Sequence, residues 1–128
     1  YSERIDTIGC DLETNDSIGG GYDMVLVSHV IYSWKGHLED VFERINRAMV
    51  PGGVFVSNHL SMDDDECGPV SGTIMELMTQ LGGYPTHHLS EDELTKALAA
   101  CGFGDFTVRP AEDGRQYRSL ILAARKLG

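Results

Sequence analysis

Four apolar residues in a row, Met24-Val25-Leu26-Val27, are followed within seven positions by Ser28, His29, Tyr32, Ser33 and Trp34. A short unbroken apolar run is the pattern of a parallel strand covered on both faces. Between His37 and Met49 the spacing changes: Leu38, Val41, Phe42, Ile45, Ala48 and Met49 recur at the helical period. Parallel strands cannot be joined by a tight hairpin and need a crossover, usually a helix. A strand followed by such a helix therefore points to the α/β class.

The rest of the chain extends that order. Arg4 to Cys10, with Ile5 and Ile8, is expected to be a short strand ending at Asp11, and "ETNDSIGGGYD" a loop. Pro51-Gly52-Gly53 is expected to stop the first helix, with Val54 to Ser57 as the next strand. After the acidic loop "MDDDECGP", Pro69 suits the first turn of a helix bearing Val70, Ile74, Leu77, Met78 and Leu81 on one stripe. Met75 and Met78 fit core packing there, and Gly82-Gly83 ends the helix. Ser90 and Glu93 form a capping box for a helix with Leu94, Ala97, Leu98 and Cys101 inward, stopped by Gly102. Asp105 to Arg109 and Tyr117 to Ala124 are the last strands, turning at Glu112-Asp113-Gly114. The expected fold is α/β: a partial Rossmann-like sheet of parallel strands with helices on both faces and a C-terminal antiparallel hairpin. The chain reads as one domain, without repeats or linkers.

Charge and cysteine content narrow the partners. The net charge is −10 and Lys and Arg are scattered, so the basic stripe of a nucleic-acid reader is missing. No apolar run approaches the roughly 20 residues that cross a bilayer, so no membrane role is expected. Cys10, Cys67 and Cys101 are far apart and form no CxxC, which reads as reduced thiols in a cytoplasm. His87-His88 are adjacent, but there is no HxxxH or HExxH, and no metal site is expected. Asp63 to Glu66 lack the alternate ligand spacing of a calcium loop. The glycines 19–21 precede a strand and do not follow one, which is the wrong context for a phosphate cradle.

Ligands of open α/β sheets bind beyond the carboxyl ends of the strands. Asp11, Ser28-His29 and Asn58-His59 all fall at such ends, with Tyr32 to Trp34 in the loop above. Each has an ordinary explanation as well. A single His is more often a hydrogen-bonded structural residue than a catalyst, and Trp34 more often a core anchor under a loop than a ligand platform.

In order, "GCDL", "YDMVLVSHVIYSW", "RAMVPGGVFVS", "LSEDELTKALAACGF" and "YRSLILAARK" resemble the class I S-adenosylmethionine-dependent methyltransferases, and more narrowly the O-methyltransferases of phenolic and polyketide-type small molecules. The resemblance runs over nearly the whole chain. It implies S-adenosylmethionine as cofactor and a phenolic or polyketide-like acceptor. It places Asp11, with Leu12 beside it, at the adenine ring, Ser28 near the cofactor and Trp34 on the same side. Two residues before the tryptophan the family commonly carries a histidine as general base for the acceptor hydroxyl.

Two features depart from that pattern. The base position holds Tyr32, and an unperturbed phenol (pKa ~10) is ionised in only about one molecule in a thousand at neutral pH. Making it a base requires roughly 4 kcal/mol of selective phenolate stabilisation. His29 and His88 are then the substitute bases on the acceptor side, and Asn58 stands where the family often has an assisting carboxylate. Methyl transfer also needs less help from a base when reactant alignment alone supplies ~7–11 kcal/mol. The second departure is that no E/DxGxGxG loop occurs in the 128 residues. The expectation is therefore the C-terminal part of a methyltransferase catalytic domain, with the Met24 to Val27 strand left as an apolar edge through which two copies dimerise. The alternatives are a degenerate module that retains the fold for assembly or binding, and a relative that holds the cofactor for other chemistry such as decarboxylation or hydroxylation.

Overall fold

In a computed structural model of the protein, the described residues are 2–14, 18–61, 70–83, 89–110 and 119–128. Four strands form one sheet in the order β1-β2-β4-β3: β1 Tyr22–Ser28, β2 Met49–Leu60, β3 Phe103–Pro110 and β4 Ser119–Lys126. Three helices intervene: α1 Leu38–Ala48, α2 Val70–Leu81 and α3 Glu91–Ala100. β1 and β2 are parallel, joined through α1, and β3 and β4 are the antiparallel C-terminal pair. The fold class read from the sequence is the one observed.

Side-chain alternation explains the core. Val25, Val27, Phe55, Leu122 and Ala124 share one sheet face, and Val41, Phe42 and Ile45 of α1 and Leu94 and Leu98 of α3 close over it. Phe55 lies between Phe42 and Phe103, with ring centroids 5.5 and 5.7 Å away. Where α1 ends, Lys126 Nζ donates to the carbonyls of Asn46 (2.8 Å) and Met49 (2.9 Å). A cation there satisfies otherwise orphaned carbonyls and opposes the negative end of the helix dipole. Ser90 caps α3, its hydroxyl accepting the Glu93 N–H at 3.2 Å.

Four expectations are corrected. The segment from Arg4 to Cys10 is not a strand: Ser2–Arg4 is a 3-10 turn, and Ile5 and Ile8 are 66% and 57% exposed. An isolated extended segment has nowhere to place its backbone hydrogen bonds, and no described strand lies beside this one. Pro51-Gly52-Gly53 does not separate helix from strand, because β2 already begins at Met49 and runs through it. Tyr22 pairs with Met49 and Met24 with Val54, so the extra residues form a bulge. Gly52 adopts φ 78°, and a Cβ on Gly53 would sit 2.9 Å from the Val50 carbonyl oxygen. Over β1, moreover, the described residues cover one face alone, and Met24 and Leu26 on the other are 62% and 64% exposed. Finally, the α2 stripe is not core, since Ile74, Leu77, Met78 and Leu81 are all exposed. The acidic loop at 63–66, His87, His88 and the 112–114 turn lie outside the described residues, as does the side chain of Met75.

Phe55→Ala is expected to remove about 3–5 kcal/mol of folding stability, measured by urea denaturation. A loss under about 1 kcal/mol would place the core elsewhere.

Candidate functional site

β1 ends abruptly. The His29 N–H donates to the Asn58 carbonyl at 2.8 Å, continuing the parallel ladder one step past Ser28. His29 then adopts φ 54°, a left-handed conformation that is uncommon for a residue with a side chain. The reversal starts the 3-10 turn Ile31–Trp34, which sends Ile31, Tyr32 and Trp34 inward and leaves the His29 imidazole exposed at the sheet edge.

Tyr32, 5% exposed, is therefore not an open phenol. Its hydroxyl oxygen accepts the N–H of Leu60 at the end of β2, and it lies 3.5 Å from His29 Nδ1. Burial pushes the Tyr32 pKa up, against the smaller opposite pull of the Leu60 N–H. The phenol is protonated at neutral pH, and it ties the ends of β1 and β2 together.

Trp34 belongs to the core cluster beneath the loop. Asp11 and Ser28 are exposed, and Leu12 packs half-buried against the core. Asp11 shapes its own turn: Oδ1 accepts the Glu13 N–H at 2.9 Å, and its carbonyl accepts the Thr14 N–H at 3.3 Å. Thus His29, Tyr32 and Ser28 come together at the carboxyl edge beside Asn58 and Leu60. Asp11 and Leu12 belong to a separate turn, joined to α1 by the bond from Arg44 Nη1 to the Leu12 carbonyl, 3.0 Å. His88 lies outside the described residues.

The residue that sequence reasoning underweighted is His59. β2 continues to Leu60, so alternation puts Ser57 and His59 on the core face, both fully buried. Ser57 Oγ lies 3.3 Å from His59 Nδ1, while His59 Nε2 has no partner among the described residues. On the opposite face, the buried Asn58 Oδ1 is likewise without one. The signal was the alternation Phe55, Ser57, His59, Ser61 continuing past "VFVS".

Burial, and then the nearby His29, push the His59 pKa down to about 4. The Cys101 thiol is pushed up to about 11 by burial and by Glu43, Glu39 and Asp40, which leaves it a poor nucleophile at neutral pH. Among the described residues no cluster of three or more His, Cys, Asp or Glu could hold a metal ion, and no helix is long and apolar enough to cross a membrane.

No family model matches the chain. Over 113 residues it is 29% identical to a 3-hydroxy-5-methyl-1-naphthoate 3-O-methyltransferase of Streptomyces sahachiroi, covering 87% of this chain and 32% of that protein. Its structure is similar to that of human N-acetylserotonin methyltransferase in complex with SAM, with TM-score 0.76 and 23% identity over 100% of this chain and 35% of that one. It is also similar to a mitomycin 7-O-methyltransferase, with TM-score 0.77 and 21% identity over 98% of this chain and 35% of that one. The chain spans about a third of the length of these relatives. The fold is the one these methyltransferases share, and the sequence resembles theirs.

Because a His59 pKa of about 4 lies below the unfolded value near ~6.5, protonation favours the unfolded chain. The stability from a neutral His59 is complete above pH ~6.5 and is lost as pH falls toward 4, by about 3 kcal/mol in all. Urea midpoints measured across that window should show this slope in the parent and a shallower one in His59→Gln. Equal slopes would exclude His59 as the source.

Proposed function

We propose, for a chain with the fold of S-adenosylmethionine-dependent O-methyltransferases, that it is the C-terminal part of such a catalytic domain and serves O-methyl transfer to a small-molecule hydroxyl. The span of about a third of its relatives and the missing glycine-rich loop support the assignment to a longer enzyme. The acceptor class that fits the named relatives is an aromatic or polyketide-type hydroxyl compound.

The exposed Ser28 and Asp11 and the orphaned Asn58 Oδ1 fit a ligand rich in hydrogen-bonding groups. Asp11 and Leu12 would hold the adenine end, with Ser28 nearer the reacting centre and Trp34 shaping the loop from below. S-adenosylmethionine, when bound there, supplies an electrophilic methyl group.

The observation that carries the reading is the Tyr32 clamp. A buried, protonated phenol is a poor base but a good orienting group. Its oxygen, already holding the Leu60 N–H, has a second lone pair for His29 Nδ1–H, and this tautomer leaves His29 Nε2 free. His29 Nε2 would take the proton of the acceptor hydroxyl, freeing that oxygen to accept the methyl group as its bond to the sulfonium sulfur breaks, and would pass the proton to solvent from its exposed position. His29 is then the general base and Tyr32 its positioning residue. His88 remains a second candidate on the acceptor side.

In the longer enzyme, assayed with S-adenosylmethionine and a phenolic acceptor, His29→Ala should lower methyl transfer about a hundredfold or more. Tyr32→Phe should lower it less, and should add little in a His29→Ala background. A His29→Ala enzyme with full activity would overturn the assignment.

A second reading, an assembly module without catalysis, has its own observation: among the described residues β1 is an edge strand, and its Met24 and Leu26 are exposed. In that case the chain forms a homodimer through β1, and light scattering should give twice the 14.0 kDa chain mass, reduced by Leu26→Lys. A monomer at every concentration would exclude it.

A further inference from the structure

Asp11 stands on a segment outside the sheet and the helices. Ile5 to Cys10 has no regular structure, and hydrogen bonds within it close the turn at 11–14. Leu12 ties it to the rest of the fold. The Leu12 side chain packs against the core, and the Leu12 carbonyl accepts a charged hydrogen bond from Arg44 Nη1 at 3.0 Å, across 32 positions of sequence. Between the turn and α1 lies a cleft of about 210 Å³ lined by Glu13, Thr14, His37, Asp40, Val41 and Arg44. The turn is therefore not packed onto the helix along its length. A strut across that gap sets its height.

We propose that Arg44 is a positioning residue for the cofactor, fixing the Asp11 turn at the level where Asp11 meets the adenine end. This rests on the cofactor reading above. The Glu13 N–H holds Asp11 Oδ1, so the direction of the carboxylate follows the turn. The turn is in its place because α1 is, and α1 is held by the core through Val41, Phe42 and Ile45 on its inner side. Arg44 transmits that placement to the carboxylate. A flexible ammonium cannot reproduce the planar fork of a guanidinium, so Lys should restore the effect only partly.

Two measurements test this, the first on the 128-residue chain and the second on the longer enzyme proposed above. The first needs no ligand: amide 15N relaxation at Glu13 and Thr14 should show lower order parameters in Arg44→Ala and intermediate ones in Arg44→Lys. Unchanged order at both amides overturns the inference whatever the chain binds. The second is an amide-shift titration with S-adenosylhomocysteine to millimolar concentration. Saturable shifts at 11–14 should weaken roughly tenfold in Arg44→Ala, the loss of a charged hydrogen bond at the low end of its range. In an Asp11→Ala background, Arg44→Ala should add little, the non-additivity of two residues acting as one unit. A purely structural arginine would instead weaken both backgrounds equally. If the parent binds and Arg44→Ala binds as well, the inference falls and the cofactor reading stands. If the parent shows no shifts, both fall.

Discussion

The positions of Ser28, His29 and Tyr32 depend on one packing contact, the seating of Phe55 between Phe42 and Phe103. It joins α1, β2 and β3, elements far apart in sequence, in a single aromatic stack worth more than its buried area alone. With α1 pressed onto the sheet by Phe42, the turn Ile31–Trp34 has to close the short distance from β1 to the helix start, and His29 takes the reversal. The left-handed φ there costs on the order of 1 kcal/mol. It is offset locally by the His29 N–H bond to the Asn58 carbonyl and by burial of Ile31, Tyr32 and Trp34.

From that stack toward the carboxyl edge, the covered face changes from apolar to polar along one strand. Phe55, Ser57 and His59 occupy successive inward positions of β2, and all are fully buried. An imidazole with an unpartnered nitrogen at such a place is expensive to bury, and burial keeps it neutral. The nearby exposed His29 adds, after burial, to the lowering of the His59 pKa, so the buried histidine and the exposed one are electrostatically linked.

What could be read from the sequence is what depends on local periodicity. α1 and α3 were legible because Val41, Phe42, Ile45 and Leu94, Ala97, Leu98 repeat at the helical period, and α3 carries its cap in Ser90. β1 and the C-terminal pair were legible from short apolar runs. What failed depends on partners the pattern does not name. Ile5 and Ile8 alternate as a strand would, yet a strand exists only beside another, and none lies there among the described residues. The "PGG" stretch has the composition of a break, but its glycines serve a bulge within β2, one by a left-handed φ and one by close approach to the Val50 carbonyl. The α2 stripe has a correct period and no described surface to cover it. The roles within the site were hidden for the same reason. That Tyr32 points inward and holds the Leu60 N–H cannot be inferred from its place two residues before Trp34.

That inward turn changes what a tyrosine at this position means. Set against an aqueous reference, the exchange of histidine for tyrosine looks like a loss of ~3 pKa units of basicity that the protein would have to recover. In the fold, burial moves the phenol further from ionisation, and the Leu60 backbone amide only partly opposes that. The same burial gives the hydroxyl a fixed position, because an oxygen held by a strand-end N–H cannot swing with solvent. A group that has lost basicity and gained rigidity is suited to orienting its neighbour, and the neighbour within reach is the exposed imidazole of His29. In the reading proposed above, the acid–base role at this edge therefore falls three residues back along the chain, from the tyrosine held in the core to the histidine that stays outside it.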